Sequence, residues 1–377
     1  MKAANLRATT ASVDLRAIRD NVRFFRRLVG DRVSVMAVVK ADGYGHGAVE
    51  CARAAIRGGA DWLGVAQAEE GVELREAGLG VPILILGPSN AEQTLIAMAH
   101  DLDVVVTSEN GWTAILDAQK ISGSRPRVHL KVDTGMGRVG VRPDTVVSEW
   151  IPRLTSGVVE FQGLMSHLAA SDEPEVDTTR QQLQVFLDVI EAIRTSGVPL
   201  PPVLHLANSA AALRFPGTHF TLVRVGIGMY GALDIPEAGA LHPAMEMWSE
   251  VSLVKRVPAG TAIGYGGTFI TDRDSTIATI PVGYADGYRR AFSNRASVLL
   301  AGAYCPVVGR VSMDQITVLV PEGMSVKIGD RVVLLGPDTT ATVSVHDWAR
   351  WADTISYEVL TGISGRVRRV YRGSEME

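Results

Sequence analysis

Lys40 closes the apolar run Ala37-Val38-Val39 and leads directly into Ala41-Asp42-Gly43-Tyr44-Gly45-His46-Gly47. An amine at the lip of a strand, backed by a glycine-rich turn, is a nucleophile toward a carbonyl carbon once its proton is gone. Farther along, Asn208-Ser209 and Arg224-Val225-Gly226-Ile227 end two more apolar runs with a hydroxyl and with backbone amides, donors that suit a phosphate. A lysine beside a phosphate site points to a Schiff base with pyridoxal 5'-phosphate, the aldehyde taking the amine and the loops fixing the phosphate. Capping of a strand by a surface lysine is the plainer reading, and it leaves unexplained why an apolar strand should run straight into Lys40 and a Gly-Tyr-Gly turn. Tyr44 would then turn its hydroxyl to the phosphate.

Arg224 reads equally as a salt-bridge partner or as the group facing a pyridine nitrogen. In the second case a guanidinium, which only donates and does not deprotonate, keeps that nitrogen unprotonated and the ring a weak electron sink. That suits a reaction in which a proton is returned quickly. Lys131-Val132-Asp133-Thr134-Gly135-Met136-Gly137-Arg138-Val139-Gly140 offers either an ordinary glycine turn or, at Arg138, a rim guanidinium able to clamp a carboxylate or a phenol. A buried Lys131 would need a carboxylate partner or a chemical modification. Gly264-Tyr265-Gly266-Gly267-Thr268-Phe269 and Val282-Gly283-Tyr284-Ala285-Asp286-Gly287-Tyr288 set tyrosines among glycines. Turns explain each of these alone, as they do Val311-Ser312-Met313-Asp314 and Ser356-Tyr357-Glu358, but together they supply phenols that the rim of the lysine-bearing domain lacks.

The elements that position these residues alternate. Apolar, β-branched runs at 33–39, 62–66, 83–87, 103–107, 128–132, 161–165, 203–206 and 222–225 are separated by amphipathic or alanine-rich segments, the pattern of strands covered on both faces. Eight such βα units predict an N-terminal (β/α)8 TIM barrel, with Lys40, Lys131, Asp133, His167, Ser209 and Arg224 all at C-terminal strand ends, where barrels carry their chemistry. Beyond residue 245 the runs shorten to 250–257, 276–282, 296–300, 316–320 and 331–335, with one helical stretch at 344–352, predicting a mostly antiparallel β domain. The chain therefore divides into 1–245, a cofactor-binding barrel, and 246–377, with the first twelve or so residues packing with the β domain.

Composition narrows the function classes. A formal net charge of −4 over 377 residues and dispersed Trp and Tyr exclude a nucleic-acid footprint. At 46% hydrophobic and 21% charged the chain has material for a large core. Cys51 and Cys305 are too few for a disulfide framework and fit a reducing cytoplasm. Residues 1–11 lack the apolar core of a signal peptide and no apolar run reaches membrane-spanning length, so neither secretion nor membrane insertion is expected. No His, Cys or carboxylate cluster has ligand spacing, and no metal is expected.

Taken in order, these segments closely resemble the alanine racemases over nearly the whole chain. The likeness rests on residues 37–47, 131–140, Ser166-His167, 205–210, 224–230, 264–268, 282–287, 309–314 and 355–357. The resemblance implies that Lys40 carries the cofactor and acts as the base on one face of alanine, with Tyr265 the base on the other. It implies Arg224 at the pyridine nitrogen, His167 against Arg224, and Tyr44, Ser209, Gly226, Ile227 and Tyr357 around the phosphate. Arg138 would contact the cofactor's phenolic oxygen and steady the substrate, Met313 would bind the substrate carboxylate through its amide, and Tyr284 would narrow the entrance. Lys131 resembles the family's carbamylated lysine, paired with Arg138. The resemblance further implies a homodimer with composite sites, Tyr265 and Met313 reaching the other subunit's barrel, and D-alanine supplied for peptidoglycan. A barrel-type pyridoxal-phosphate amino-acid decarboxylase is the nearest alternative, and would want an acid where Arg224 stands. A non-catalytic cofactor carrier would not need Tyr265.

Overall fold

The computed structural model describes residues 8–373. The described residues form two compact units, one of residues 17–43 and 48–242, the other of residues 8–16, the short segment Tyr44–Gly47 and residues 243–373. Strand β1 (Thr10–Asp14) belongs to the second. The first unit contains β2 (Ser34–Val38), β3 (Trp62–Val65), β4 (Ile83–Ile85), β5 (Val104–Val106), β6 (Arg127–Lys131), β7 (Glu160–Met165), β8 (Val203–His205) and β9 (Leu222–Val225). They run parallel in the orders β4-β3-β2-β9 and β5-β6-β7-β8. A parallel bridge from Leu84 to Asp103 joins β4 to β5. Across the last seam the amides of Thr221 and Arg224 donate to the carbonyls of Leu204 and Ala207 at 3.1 and 3.0 Å, closing a (β/α)8 barrel.

The strands form where they do because their side chains are apolar on both faces and stiff at χ1. Val35, Met36, Ala37 and Val39 are wholly buried, as are Leu63, Ile83, Leu84, Val106 and Leu222. Full burial of each large aliphatic side chain contributes about 1.5–3 kcal/mol before entropy is counted. The helices between them follow capping chemistry. Ser108, for example, accepts from the Gly111 amide at 3.2 Å to start the helix Glu109–Ser122.

In the second unit, β10 (Met245–Glu250), β11 (Leu253–Val257), β12 (Ala262–Ile263), β13 (Phe269–Ile270), β14 (Ser275–Ile280), β15 (Ser297–Leu300), β16 (Ala303–Pro306), β17 (Ile316–Val320), β18 (Arg331–Pro337), β19 (Thr342–Val343) and β20 (Arg368–Arg372) make three sheets. The largest runs β16-β15-β18-β10-β1-β20 with β19 on β18, and β11-β14-β17 and the hairpin β12-β13 stand apart from it. Every pair is antiparallel except β1 with β20. The expectation of packing by the first twelve or so residues falls in part on residues 1–7, which lie outside the described ones.

One expected strand is two. The run 250–257 breaks at Val251-Ser252, where the Val251 amide donates to Asp330 and the Ser252 amide to Thr279 (2.9 and 2.8 Å). The chain thereby leaves the large sheet for the three-stranded one, a change of partner that an uninterrupted apolar pattern does not record. The helix expected at 344–352 runs Val345–Ala352 behind a Ser344/Asp347 capping box, and a further helix, Ser356–Thr361, carries Tyr357. Among the described residues no helix is long and apolar enough to cross a membrane.

Candidate active site

β2 ends at Val38, and the backbone after Lys40 coils the wrong way for L-residues. Ala41, Asp42, Gly43 and Tyr44 have φ of 54, 51, 60 and 53°, a left-handed turn that costs roughly 1–2 kcal/mol for each residue other than glycine. Neighbours hold it. Glu70 accepts from the Ala41 amide at 2.6 Å through one oxygen and from the Ala66 amide at 2.7 Å through the other. The Gly43 amide returns to the Val39 carbonyl at 2.8 Å, and Asp42 accepts from the Ala48 amide at 2.9 Å. Strain of this kind, fixed by surrounding hydrogen bonds, marks a loop whose shape matters more than its stability.

Lys40 comes out of this turn half-buried. Burial, then the cations of Arg138 and Arg224, bring its amine below the usual lysine range against the opposing pull of Glu70. Lys131, at the end of β6, is brought down to about 8 by burial and by Arg224, Arg138 and Lys40. Four cations within electrostatic reach of one another thus collect at one end of the barrel with little anionic relief. Arg138 rides on a loop organised by Asp133, whose Oδ1 accepts from the amides of Gly135, Met136 and Gly137 at 3.0, 2.9 and 3.1 Å. Burial pushes that carboxyl up, but the converging amides outweigh it and hold it low.

Arg224, in β9, is 4% exposed. Its guanidinium donates to the carbonyls of Ser166, Leu206 and His205 at 2.8, 3.0 and 3.0 Å, and to Nδ1 of His167 and of His205 at 3.1 and 3.3 Å. No carboxylate is among these partners, so the salt-bridge reading of Arg224 is not the one built here. Burial lowers its pKa to about 10, leaving it charged at neutral pH. Burial and then Arg224 push both His167 and His205 well below the ordinary histidine value, so both rings are neutral.

Ser209 opens the short helix Ser209–Arg214 after β8. Its Oγ accepts from the amides of Gly226 and Gly228 at 3.0 and 3.1 Å. With both lone pairs engaged, its O–H is left to donate outward. The Ile227 amide begins a 3-10 turn and has no partner inside it. A hydroxyl donor, amides and a lysine of lowered pKa match an oxyanion and an aldehyde, and a donor-only guanidinium matches a ring nitrogen. The residues present fit a phosphorylated pyridine aldehyde.

The other expected residues lie on the β unit. Tyr44, 7% exposed, belongs to this unit with Gly45–Gly47, its ring centroid 6.1 Å from that of Tyr357. Gly45 has φ +79° and a Cβ there would meet the Leu360 carbonyl at 2.5 Å, which is why the segment tolerates only glycine at that position. Tyr284 and Met313 sit on two stitched loops, the Tyr284 amide donating to Ser312 O and the Ala285 amide to Met313 O at 3.0 and 3.1 Å. Tyr265 follows β12 between glycines at φ +71 and +72°. Tyr265 is 71% and Met313 52% exposed.

Sequence reasoning missed Glu70, Asp103, His129 and His205. Only Glu70 had a local signal, the Gln67-x-x-Glu70 capping box that starts the helix Ala68–Glu76.

Known proteins are similar to this chain in sequence and fold over nearly its whole length. The alanine racemase N-terminal domain matches residues 13–234, and the alanine racemase C-terminal domain matches 244–371. The alanine racemase of Symbiobacterium thermophilum is 45% identical over 373 residues, 98% of each chain. Among solved structures, the alanine racemase of the D-cycloserine-producing Streptomyces lavendulae superposes with a TM-score of 0.92 at 40% identity, covering 98% of both chains. That of Bacillus anthracis, with bound L-Ala-P, gives 0.91 at 36% identity over 99% of this chain and 97% of the other.

Proposed function

The chain belongs to the alanine racemase family and is an amino-acid racemase, and from that premise we propose that it interconverts L-alanine and D-alanine with two bases and pyridoxal 5'-phosphate. The observation that carries the reading is the buried Arg224, anchored on three carbonyls at the mouth that also holds Lys40. When bound, the cofactor supplies an electron sink that acidifies the Cα–H of an amino acid. Everything else falls to the chain.

Lys40 holds the cofactor through its amine, which burial and Arg138 keep deprotonated more readily than a free lysine. It then serves as the base on one face of Cα. Tyr265 serves on the other. Arg224 offers its remaining N–H, on Nε, to the ring nitrogen without surrendering a proton, so the sink stays weak and a proton removed from Cα is returned rather than lost to side reactions. Ser209, Gly226, Ile227, Tyr44 and Tyr357 hold the phosphate. His167 steadies Arg224, Arg138 meets the phenolic oxygen and the substrate, the Met313 amide takes the substrate carboxylate, and Tyr284 narrows the entrance.

Exposure of Tyr265 and Met313 on the single chain supports a homodimer in which both serve the partner's barrel. The product, D-alanine, is assigned to peptidoglycan supply, a role consistent with likeness to a biosynthetic alanine racemase of Pseudomonas aeruginosa at 35% identity. Two free, buried cysteines suit a cytoplasmic enzyme. Chiral separation after incubating the purified, cofactor-loaded protein with L-alanine is expected to show approach to an equal mixture. Accumulation of ethylamine and carbon dioxide would instead identify a decarboxylase, and no turnover a carrier.

Lys131 is the residue that most needs an anion at this mouth. With its pKa at about 8, the neutral amine becomes more abundant as pH rises through that value. Attack of Nζ on carbon dioxide forms the N–C bond, releases one proton and leaves an anionic carbamate facing Arg138. Protein equilibrated with 13C-bicarbonate is expected to show one carbamate carbon by NMR that is lost in Lys131→Ala. Absence of that resonance in the wild type would remove carbamylation from the scheme.

A further inference from the structure

Behind Arg224 a line of polar side chains runs through the barrel interior, and none of them touches the mouth described above except through Arg224. His205 Nδ1 faces the guanidinium at 3.3 Å. His205 Nε2 lies 2.9 Å from His129 Nδ1, His129 Nε2 lies 3.3 Å from Asp103 Oδ2, and Asp103 Oδ1 accepts from Arg127 Nε at 2.6 Å. Asp103, His129 and His205 are wholly buried. Polar groups so placed cost several kcal/mol each unless every one is satisfied, roughly 2–7 for an unpaired amide or hydroxyl, so a line of three in a barrel core calls for a reason.

Space for it is built into the strands. β6 and β7 change register between Val128 and His129, which re-aims the His129 ring. Gly163, opposite in β7, carries no side chain, and a Cβ there would fall 2.0 Å from His129 Nδ1. The two imidazoles cross edge to face, centroids 5.1 Å apart at 87°.

The hydrogen positions follow from the two ends. Arg224 can only donate, so His205 Nδ1 must accept and the proton of this neutral ring sits on Nε2. That N–H donates to His129 Nδ1, which must therefore accept, and the His129 proton sits on Nε2. It donates in turn to the Asp103 carboxylate. All the bonds point one way, from Arg224 to Asp103, and the anion at the far end polarises both rings so that His205 Nδ1 is a stronger acceptor.

We propose that Asp103, His129 and His205 are positioning residues, a directional tautomer chain that fixes how Arg224 presents its guanidinium. The carbonyls of Ser166, His205 and Leu206 hold the guanidinium in place, and the chain decides whether its inner edge meets an acceptor or a donor. Asp103→Asn tests this at atomic cost. A carboxamide turned to donate to His129 Nε2 reverses both rings and sets His205 Nδ1–H against Arg224. The tautomers themselves do not depend on what Arg224 contacts; the effect on turnover rests on the racemase reading above, and the two are measured separately.

The experiment uses the full-length protein labelled with 15N in its histidine rings. Long-range 1H–15N correlations, assigned by their loss in His129→Gln and His205→Gln, are expected to show Nε2–H tautomers for both residues in the wild type. An Nδ1–H tautomer at either one overturns the chain whatever the activity. In Asp103→Asn the His205 signal is expected to move to the Nδ1–H pattern, with kcat for alanine racemisation lowered roughly 10- to 100-fold, the size of effect seen when the outer hydrogen-bond partner of a metal-bound histidine is lost, and KM changed less than about threefold. A reversed tautomer with wild-type kcat would overturn the positioning role. If Asp103→Asn does not fold, the wild-type spectrum decides the polarity and Asp103→Glu, which keeps the anion, is expected to keep both tautomers.

Discussion

Lys40→Ala is expected to lower kcat for alanine racemisation by roughly 10^4-fold or more, because on the proposed scheme it removes one of two proton-transferring groups, worth roughly 10^2–10^4, together with the amine proposed to hold the cofactor. Its environment argues for so large a loss. The left-handed turn at 41–44 and the hydrogen bonds from Ala41 to Glu70 and from Gly43 to Val39 place this one side chain, and no neighbouring amine can take its position without rebuilding the turn. Lys131, the other lysine at the barrel mouth, belongs to β6 and is proposed above to be carbamylated. The variant should keep the wild-type far-ultraviolet circular dichroism, since Lys40 makes no buried ion pair among the described residues, and should lose the long-wavelength absorbance of the lysine-bound cofactor. Turnover above about a tenth of wild type, with cofactor bound, would remove Lys40 from the mechanism.

Tyr265→Phe is expected to reduce racemisation by roughly 10^2–10^4-fold while leaving stability almost untouched. The side chain is 71% exposed on the single chain, so deleting its hydroxyl strands no buried partner within that chain, and a change of this kind should alter the fold's stability by no more than about 0.5 kcal/mol. The loss should be lopsided. In deuterated water the variant should still exchange the Cα proton of the enantiomer served by Lys40, and exchange the other enantiomer far more slowly. Equal residual exchange from both enantiomers would leave no role for Tyr265 as the second base. Rate loss accompanied by a large fall in Tm would mean that the phenol acts on folding instead.

Much of the barrel was legible because its strands are short, apolar on both faces and bounded by turn residues, a pattern written entirely in neighbouring positions. All eight runs correspond to strands, and the residues at their C-terminal ends, Lys40, Lys131, His167, Ser209 and Arg224, lie at one end of the barrel. The β unit was less legible. Strand β1 pairs with Met245–Glu250 and with Arg368–Arg372, partners remote from it along the chain, and nothing within Thr10–Asp14 names them. The run 250–257 looked like one strand because alternation continues across Val251-Ser252 while the hydrogen-bonding partners change.

At the candidate site the division is similar. A lysine after an apolar run and a glycine-flanked tyrosine are visible in a few consecutive residues. Asp103, His129 and His205 are single polar positions in otherwise apolar strands, and each reads alone as a satisfied core residue.

By itself, then, the sequence determined the secondary structure of the barrel, the reactive residue types and their order along the chain, because strand formation and turn chemistry depend on side chains a few positions apart. Only the tertiary structure decided that Arg224 is buried on carbonyls rather than paired with an acid, that Tyr44–Gly47 belongs with the β unit, and that two histidines and an aspartate line up behind Arg224. Those outcomes depend on strand register and on the room left by Gly163, and register is a relation between distant segments that no local pattern contains.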